Sequence, residues 1–483
     1  MNIAKLLHEA NKGFIVAPAG CGKTHLIAEA VINYGNAREL ILTHTHAGVD
    51  SIRRKIRALN PARQNYQIET IDGFILRYVS HFPHTSGWSS FLDDVDWASV
   101  RDCGICLFKK DFIKRIIAAT YSGLYVDEYQ DCVLEQHAII LELSAVLPAR
   151  VLGDHLQGIF NFGENKIIDW EKDVKRNFRE IGELNTPWRW NNAGNPDLGN
   201  WVSLLRQAIL NNSGIRLTDL PNSVRWINTN SQTDVVKECF SVLSRINTTE
   251  GVVIIGLSNQ PQRTHHIARK LRGQFGVIEP LESKDLKKII GKLTDSCAYK
   301  RAIALLDIAV LCFSGISKTI LTQEYSALEK RQLPNRRKQL TISDPLKAFI
   351  CNNNLESMIS FFDSFKQFPN SHLYRKELYF EISKILRESS SAGILLKDAL
   401  IKVRENTRRW GRRIPKRAIA RTVLIKGLEF DHAIVLDADS FDSKNLYVAL
   451  TRACKTITII SKSDTLLRVI QTPHLIVNGN DRQ

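Results

Sequence analysis

Phe14-Ile15-Val16-Ala17-Pro18-Ala19-Gly20-Cys21-Gly22-Lys23-Thr24-His25-Leu26-Ile27 is the stretch that decides the fold class. Its first three residues predict a buried strand, its glycine-rich middle a tight turn, and the run from His25 to Ile32 a helix. Strand, turn and helix in that order form the context a phosphate-binding loop needs. Gly20 and Gly22 allow the backbone to approach an anion with no Cβ in the way. The amides at the helix start point at that anion, and the helix dipole adds to them. Ala19, Gly20, Cys21, Gly22, Lys23 and Thr24 are therefore the expected nucleotide-binding residues. Lys23 is expected to reach the β- and γ-phosphates and Thr24 to hold Mg²⁺. Ala17 stands where the general pattern has its first glycine.

Two later strand ends carry the chemistry such a loop requires. Leu124-Tyr125-Val126 reads as a short apolar strand and runs into Asp127-Glu128-Tyr129-Gln130-Asp131. A carboxylate at a strand end beside a phosphate loop suits a metal-assisted phosphoryl transfer. Asp127 is expected to help hold Mg²⁺, and Glu128 to orient or deprotonate the attacking water. Arg150-Val151-Leu152-Gly153-Asp154-His155-Leu156-Gln157-Gly158-Ile159-Phe160 again reads strand then turn. It places Asp154 and Gln157 at the edge where ligands bind in open α/β sheets, with Gln157 as a sensor of the γ-phosphate.

The 483 residues exceed what one compact core holds, so roughly two to four domains are expected. Hydrophobic residues at 44% and charged residues at 24% are those of an ordinary globular chain, which excludes a disordered or fibrous protein. No apolar run reaches the length of a membrane span, and the N-terminus lacks a signal-peptide core. The expectation is a cytoplasmic protein with no membrane partner. Against 50 Asp and Glu stand 66 Lys and Arg, a net charge of +16, which suggests a polyanion partner. Part of the excess concentrates between Lys402 and Arg421, where Arg408, Arg409, Arg412 and Arg413 surround Trp410 and Glu405 is the one acid. Those four arginines are expected nucleic-acid contacts. The nine cysteines are scattered, as in a reducing compartment, and Cys103 and Cys106 form a CxxC with no second pair at a zinc-ribbon spacing.

Taken together, the AxAGxGKT loop, the DExQD string at Asp127, the GDxxQxIF string at Gly153, Lys426-Gly427-Leu428-Glu429-Phe430 and Tyr447-Val448-Ala449-Leu450-Thr451-Arg452-Ala453 resemble the UvrD/Rep/PcrA family of superfamily 1 helicases. The match runs in the family's order from Val16 to Ala453, and the AxAGxGKT form accounts for Ala17. The resemblance implies an α/β fold of two RecA-like P-loop NTPase domains with short, mainly helical insertions. ATP with Mg²⁺ would lie between them, single-stranded DNA would cross the top, and translocation would run 3′ to 5′. Leu184-Asn185-Thr186-Pro187-Trp188-Arg189 resembles the family's LxxNYR segment. That match implies that Arg189 contacts the γ-phosphate and Trp188 stacks on adenine. Gly427 and Glu429 match nucleotide-side positions, and Arg452 matches a second arginine finger. Three further matches imply DNA contacts at Thr43, His44, Thr70 and Thr422, with His44 at the position of a base-stacking aromatic. No Gln precedes the phosphate loop to read adenine.

The expected organisation is a first RecA-like domain over 1–195 with a small insertion near 75–111. A second would comprise 196–280 and 415–483, and a reduced helical insertion would occupy 281–414. The expected activity is that of an ATP-dependent single-stranded DNA translocase or DNA helicase acting on DNA with single-stranded tails. The alternative is a DNA-sensing ATPase subunit that regulates a partner nuclease in bacterial anti-phage defence, as in systems such as Gabija.

Overall fold

The computed structural model describes residues 2–35, 37–60, 62, 65–89, 95–160, 166–229, 231–279, 283–333, 340–410 and 414–467. Two parallel six-stranded sheets organise it, as two RecA-like domains require. The first contains β1 (Lys12–Val16), β2 (Glu39–Thr43), β3 (Tyr66–Thr70), β4 (Gly123–Val126), β5 (Ala149–Gly153) and β6 (Arg179–Glu183). Its order is β3-β2-β4-β5-β1-β6, and every neighbouring pair is parallel. Parallel strands are covered on both faces and so read as continuous apolar runs. Phe14-Ile15-Val16 and Leu124-Tyr125-Val126 show this, being buried throughout. Helices Lys23–Asn33 and His46–Leu59 cover one face through Leu26, Ile27, Ile52 and Ile56. Helices Ile71–His81, Trp97–Phe108, Asp111–Thr120 and Leu134–Ser144 cover the other. The segment expected to be a small insertion thus supplies core: Val100, Leu107 and Phe108 pack with Phe74.

The second sheet contains β7 (Val224–Asn228), β8 (Val252–Gly256), β9 (Gly276–Val277), β10 (Arg417–Arg421), β11 (Phe430–Val435) and β12 (Ala453–Ser461). Its order is β9-β10-β8-β11-β12-β7, again parallel at every pair. Helices Pro196–Leu210 and Ser443–Leu450 pack on one face. Helices Gln232–Arg245 and Pro261–Lys270 pack on the other.

Between β9 and β10 the chain builds a helical body with its own core, running from Leu286 to Val403. Phe362 stacks on Tyr379 within it, with ring centroids 4.5 Å apart. Among the described residues its sheet structure is an antiparallel pair of two-residue strands, Phe313–Ser314 with His372–Leu373. Arg375 ties this body back to the second sheet through an ion pair with Glu279 at 2.5 Å. Among the described residues no helix is long and apolar enough to cross a membrane.

Candidate nucleotide site between the two sheets

Beyond Val16 the chain turns sharply. Gly20 has φ +74° and Gly22 φ +89°, the left-handed region open to glycine. A Cβ on Gly20 would also lie 2.7 Å from Cζ3 of Trp190 and 3.0 Å from Cβ of Arg189, so space requires glycine as well. Helix Lys23–Asn33 begins at once, with Gly22 as its N-cap and no side chain to cap its first amides. Those amides need an acceptor. A phosphate is the acceptor such a helix start suits. Burial pushes the Cys21 thiol up to about 11, so it stays protonated beside this loop.

Lys23 Nζ lies 2.8 Å from Oε2 of Glu128. Glu128 itself has φ +56°, a strained conformation for a residue with a side chain. Burial pushes the Glu128 carboxyl up, but the ammonium groups of Lys23 and Lys426 outweigh it and hold the group down at about 2. Asp127 behaves oppositely. Burial pushes it up to about 7, and Lys23 offsets only part of that. Glu128 is thus ionised, and Asp127 is a buried carboxylate short of positive charge. Asp127 Oδ1 accepts the Glu128 N–H at 2.9 Å, and its carboxyl also hydrogen-bonds the Thr24 side chain. A hydroxyl and a carboxylate side by side form an all-oxygen donor set that fits Mg²⁺, which takes one or two carboxylates together with substrate phosphates. Among the described residues no group of three or more His, Cys, Asp or Glu is placed to hold a metal ion by itself.

From Glu128 a polar chain runs inward. Gln130 Nε2 donates to Glu128 Oε2 at 2.5 Å, and Gln130 Oε1 accepts the Asp154 N–H at 2.9 Å. Asp154 is fully buried and accepts from Gln157 Nε2 at 2.9 Å and from Arg206 Nη1 at 2.6 Å. Gln157 therefore faces Asp154.

The second sheet closes over this loop. Tyr447 OH accepts the Ala19 N–H at 3.3 Å. Arg189 donates its backbone N–H to Gly20 O at 3.0 Å, and its guanidinium donates to Thr451 O at 2.6 Å and Glu429 Oε1 at 2.5 Å. Lys426 donates to Asp131 and to the Gln157 carbonyl, with its ammonium 4.8 Å from the Phe160 ring centroid. Gly427, at φ +79°, turns the chain between Lys426 and Glu429. Trp188 is 52% exposed, with Cδ1 3.2 Å from where a Cβ on Gly22 would stand, so its indole borders the phosphate loop. Trp190 is buried and donates Nε1–H to Ala453 O at 2.9 Å. Arg452 is also buried. It donates to Val448 O at 2.8 Å, Leu428 O at 3.2 Å and Thr451 Oγ1 at 2.8 Å. Burial, with the nearby Arg189 charge, pulls its pKa down to about 9.

The expected DNA contacts are placed less simply. Thr43 is 2% exposed, and Thr422 is fully buried with its hydroxyl 2.9 Å from that of Ser258. Both hydroxyls are therefore packed inside the protein rather than open at its surface. His44 is engaged against the 128–132 turn, with Nε2 3.6 Å from Cys132 Sγ and a hydrogen bond to the Glu128 backbone. Burial and the Lys426 charge pull its pKa to about 4, so it is neutral near pH 7. The ring of His44 is half-buried and lies beside the carboxylate turn. Thr70 Oγ1 caps helix Ile71–His81 by accepting the Gly73 N–H at 3.1 Å. Arg408 and Arg409 end helix Leu396–Trp410, with side chains outside the described residues, and Arg412 and Arg413 lie wholly outside them.

Arg206 and Tyr447 were not singled out from sequence, nor were the partners of Lys426. Arg206 had a visible signal. It shares helix Pro196–Leu210 with Val202, Leu205 and Ile209, and a cation on that apolar stripe must find a buried anion.

Residues 3–122 match the family model described as UvrD/REP helicase N-terminal domain, which puts that segment in the helicase class. No curated protein matches the chain. Similar solved structures include an Arterivirus nonstructural protein 10 (helicase) in complex with DNA, at 10% identity over 95% of this chain with a TM-score of 0.36. The PRRSV helicase is similar at 12% identity over 95% of this chain, with a TM-score of 0.34. This chain spans 62% of the first and 54% of the second.

Proposed function

We propose that this protein is an ATP-dependent DNA helicase that hydrolyses ATP between its two sheets and uses the cycle to move 3′ to 5′ along single-stranded DNA. The observation that carries the reading is the set of bonds joining the phosphate loop to the second sheet. Ala19 meets Tyr447, and Arg189 sits on Gly20 while holding Thr451 and Glu429. A nucleotide bound at this loop changes what those residues can hold, so its turnover is coupled to the relative position of the sheets.

In this reading the phosphates compete with Glu128 for the Lys23 ammonium. Released from Lys23, Glu128 orients the attacking water and accepts its proton. Thr24 and Asp127 would hold Mg²⁺, which would neutralise part of the phosphate charge. Arg189 supplies positive charge beside the phosphate loop and Arg452 from the far side of the cleft, and Trp188 offers an aromatic face beside Gly22. Gln157 reports the state of the site to Asp154 and, through its carbonyl, to Lys426. The net charge of +16 and the helicase-type segment over 3–122 support DNA as the polyanion.

ATP turnover with and without single-stranded DNA tests the proposal, followed by strand displacement on duplexes with a 3′ or a 5′ tail. Turnover should rise with single strands, and only the 3′-tailed duplex should open. Turnover indifferent to DNA would refute the coupling, and opening from the 5′ tail alone would refute the direction.

A further inference from the structure

A second concave surface lies away from the nucleotide site, where helices Gln232–Arg245 and Pro261–Lys270 meet the Phe313–Ser314 and His372–Leu373 hairpin. Its cavity has a volume of about 720 Å³. Lys237, Arg269, Lys270, Arg272 and His372 line it together with Phe240, and among the described residues no carboxylate does, although Lys237 also pairs with Asp234 at 3.6 Å on its own helix. Phe240 is 40% exposed, so its ring face is open to a ligand in the groove. The turn after the second helix and the hairpin that faces it hold backbone in the left-handed region. Arg272 has φ +46°, Gly273 +71°, Gly315 +82° and Asn370 +58°. A Cβ on Gly315 would stand 2.1 Å from the Asn370 carbonyl oxygen, so that close approach depends on glycine.

A net charge of +16 spreads cations over the whole surface, so cations alone would mean nothing here. Their convergence in a concavity free of acids, around an exposed aromatic ring, is what distinguishes this place. We propose that the groove between Lys237, Phe240 and the Arg269–Arg272 turn binds single-stranded nucleic acid. The cations would meet its phosphates and Phe240 would stack on an unpaired base. Duplex is a poorer fit, because paired bases hide the faces an aromatic ring needs. The inference rests on the reading of this protein as a single-strand translocase. It adds a second place where the strand is held, on the outer face of the second sheet.

The test is fluorescence anisotropy with short and long oligothymidylate at several salt concentrations, on the full chain. The variant combines Lys237→Glu, Arg269→Glu and Lys270→Glu, all on exposed helix surfaces. The control combines Lys5→Glu, Lys172→Glu and Lys300→Glu, at positions 52%, 72% and 65% exposed, and removes the same charge elsewhere. For the long strand, the groove variant should bind at least tenfold more weakly. Its log K against log salt slope should flatten by about 2, at about 0.7 per phosphate contact. The control should change little. Phe240→Ala should weaken binding roughly tenfold without altering the slope, as loss of one stacked base does. Equal effects from groove and control variants would overturn the groove, as would parental affinity and slope in the groove variant. If the groove variant keeps its DNA affinity but loses binding to polyglutamate, the partner is an acidic protein and the proposal falls. Failure of the unchanged protein to bind either oligonucleotide would overturn the translocase reading itself, and the groove with it.

Discussion

At the scale of single residues, the site is governed by how two adjacent carboxylates are treated. Glu128 is held ionised by Lys23 and Lys426, while Asp127 is driven by burial toward its neutral form. In the proposed reaction the ionised Glu128 would act as the base and Asp127 as a place for a cation. Lys23→Ala and Glu128→Gln should both abolish turnover, for different reasons. The first removes the charge that binds phosphate. The second keeps the shape and should retain ATP binding while losing on the order of 10²–10⁴ in rate. Equilibrium binding of labelled ATP separates them, and turnover near the parental rate in Glu128→Gln would remove it from the role of base. Arg452 presents a different case, because its guanidinium also holds its own domain together through Val448, Leu428 and Thr451. Arg452→Ala should cost about 10³ or more in rate if it acts on the transferred phosphoryl. It should lower the melting temperature as well, since the Leu428 carbonyl and the Thr451 hydroxyl lose a hydrogen bond. Parallel melting and ATPase measurements distinguish the two effects: a fall in melting temperature with undiminished turnover would make Arg452 purely structural.

Elements carry the next level of the argument. Helix Pro196–Leu210 reaches the loop after β5 through one buried ion pair, Arg206 with Asp154. Removing one partner leaves the other charge unpaired in the interior. Arg206→Met should therefore cost about 3–5 kcal/mol, and Arg206→Met with Asp154→Asn distinctly less. A double-mutant cycle from denaturant unfolding measures this, and additive losses would show the pair to be uncoupled. At the other end of the second sheet, β11 and β12 are clamped by Glu250. It accepts from Lys455 Nζ at 2.6 Å and the Asn247 N–H at 2.9 Å, and lies 3.2 Å from His432 Nε2. The Lys455 hydrogen bond, followed by the Asn247 N–H, holds Glu250 at about 2, below its ordinary value of 4.5. A depressed carboxylate contributes stability above its unfolded value and loses it as pH falls toward the folded one. The difference in melting temperature between the parent and Glu250→Gln should thus narrow as pH drops from 4.5 to 2. A constant difference across that window would show that Glu250 stabilises by packing alone.

Over the whole molecule, the consequential feature is how few side chains connect the two sheets at the nucleotide loop. Lys426 is one of them. It leaves the end of β10, enters the first sheet's territory and satisfies Asp131 and the Gln157 carbonyl. Burial lowers its pKa, so the two oxygens matter to keeping it charged. Lys426→Met should preserve nucleotide binding but reduce DNA stimulation of turnover about tenfold, the usual size of a coupling between two sites. An ATPase titration with single-stranded DNA reads this directly. Full stimulation in the variant would show that the sheets communicate without it.

Much of this protein was legible in its sequence, because the decisive segments are local. Apolar triplets such as Phe14-Ile15-Val16 and Leu124-Tyr125-Val126 predict buried parallel strands whatever surrounds them. Gly20 and Gly22 predict the turn because a left-handed backbone favours them, and Asp127, Glu128 and Asp154 follow their strands directly. What tertiary structure alone decided was which of these residues face one another. Asp154 finds Arg206, Ala19 finds Tyr447, and Asp131 finds Lys426, partners separated by 52, 428 and 295 positions. No periodicity spans such distances, since each pairing depends on how two sheets settle against each other. The same holds for Thr43 and Thr422. Their motifs suggested open hydroxyls, and only the packing of neighbouring turns revealed them as buried. Local backbone preference acts within a few residues and is written in the chain. Burial and the choice of charge partner are properties of the assembled surface.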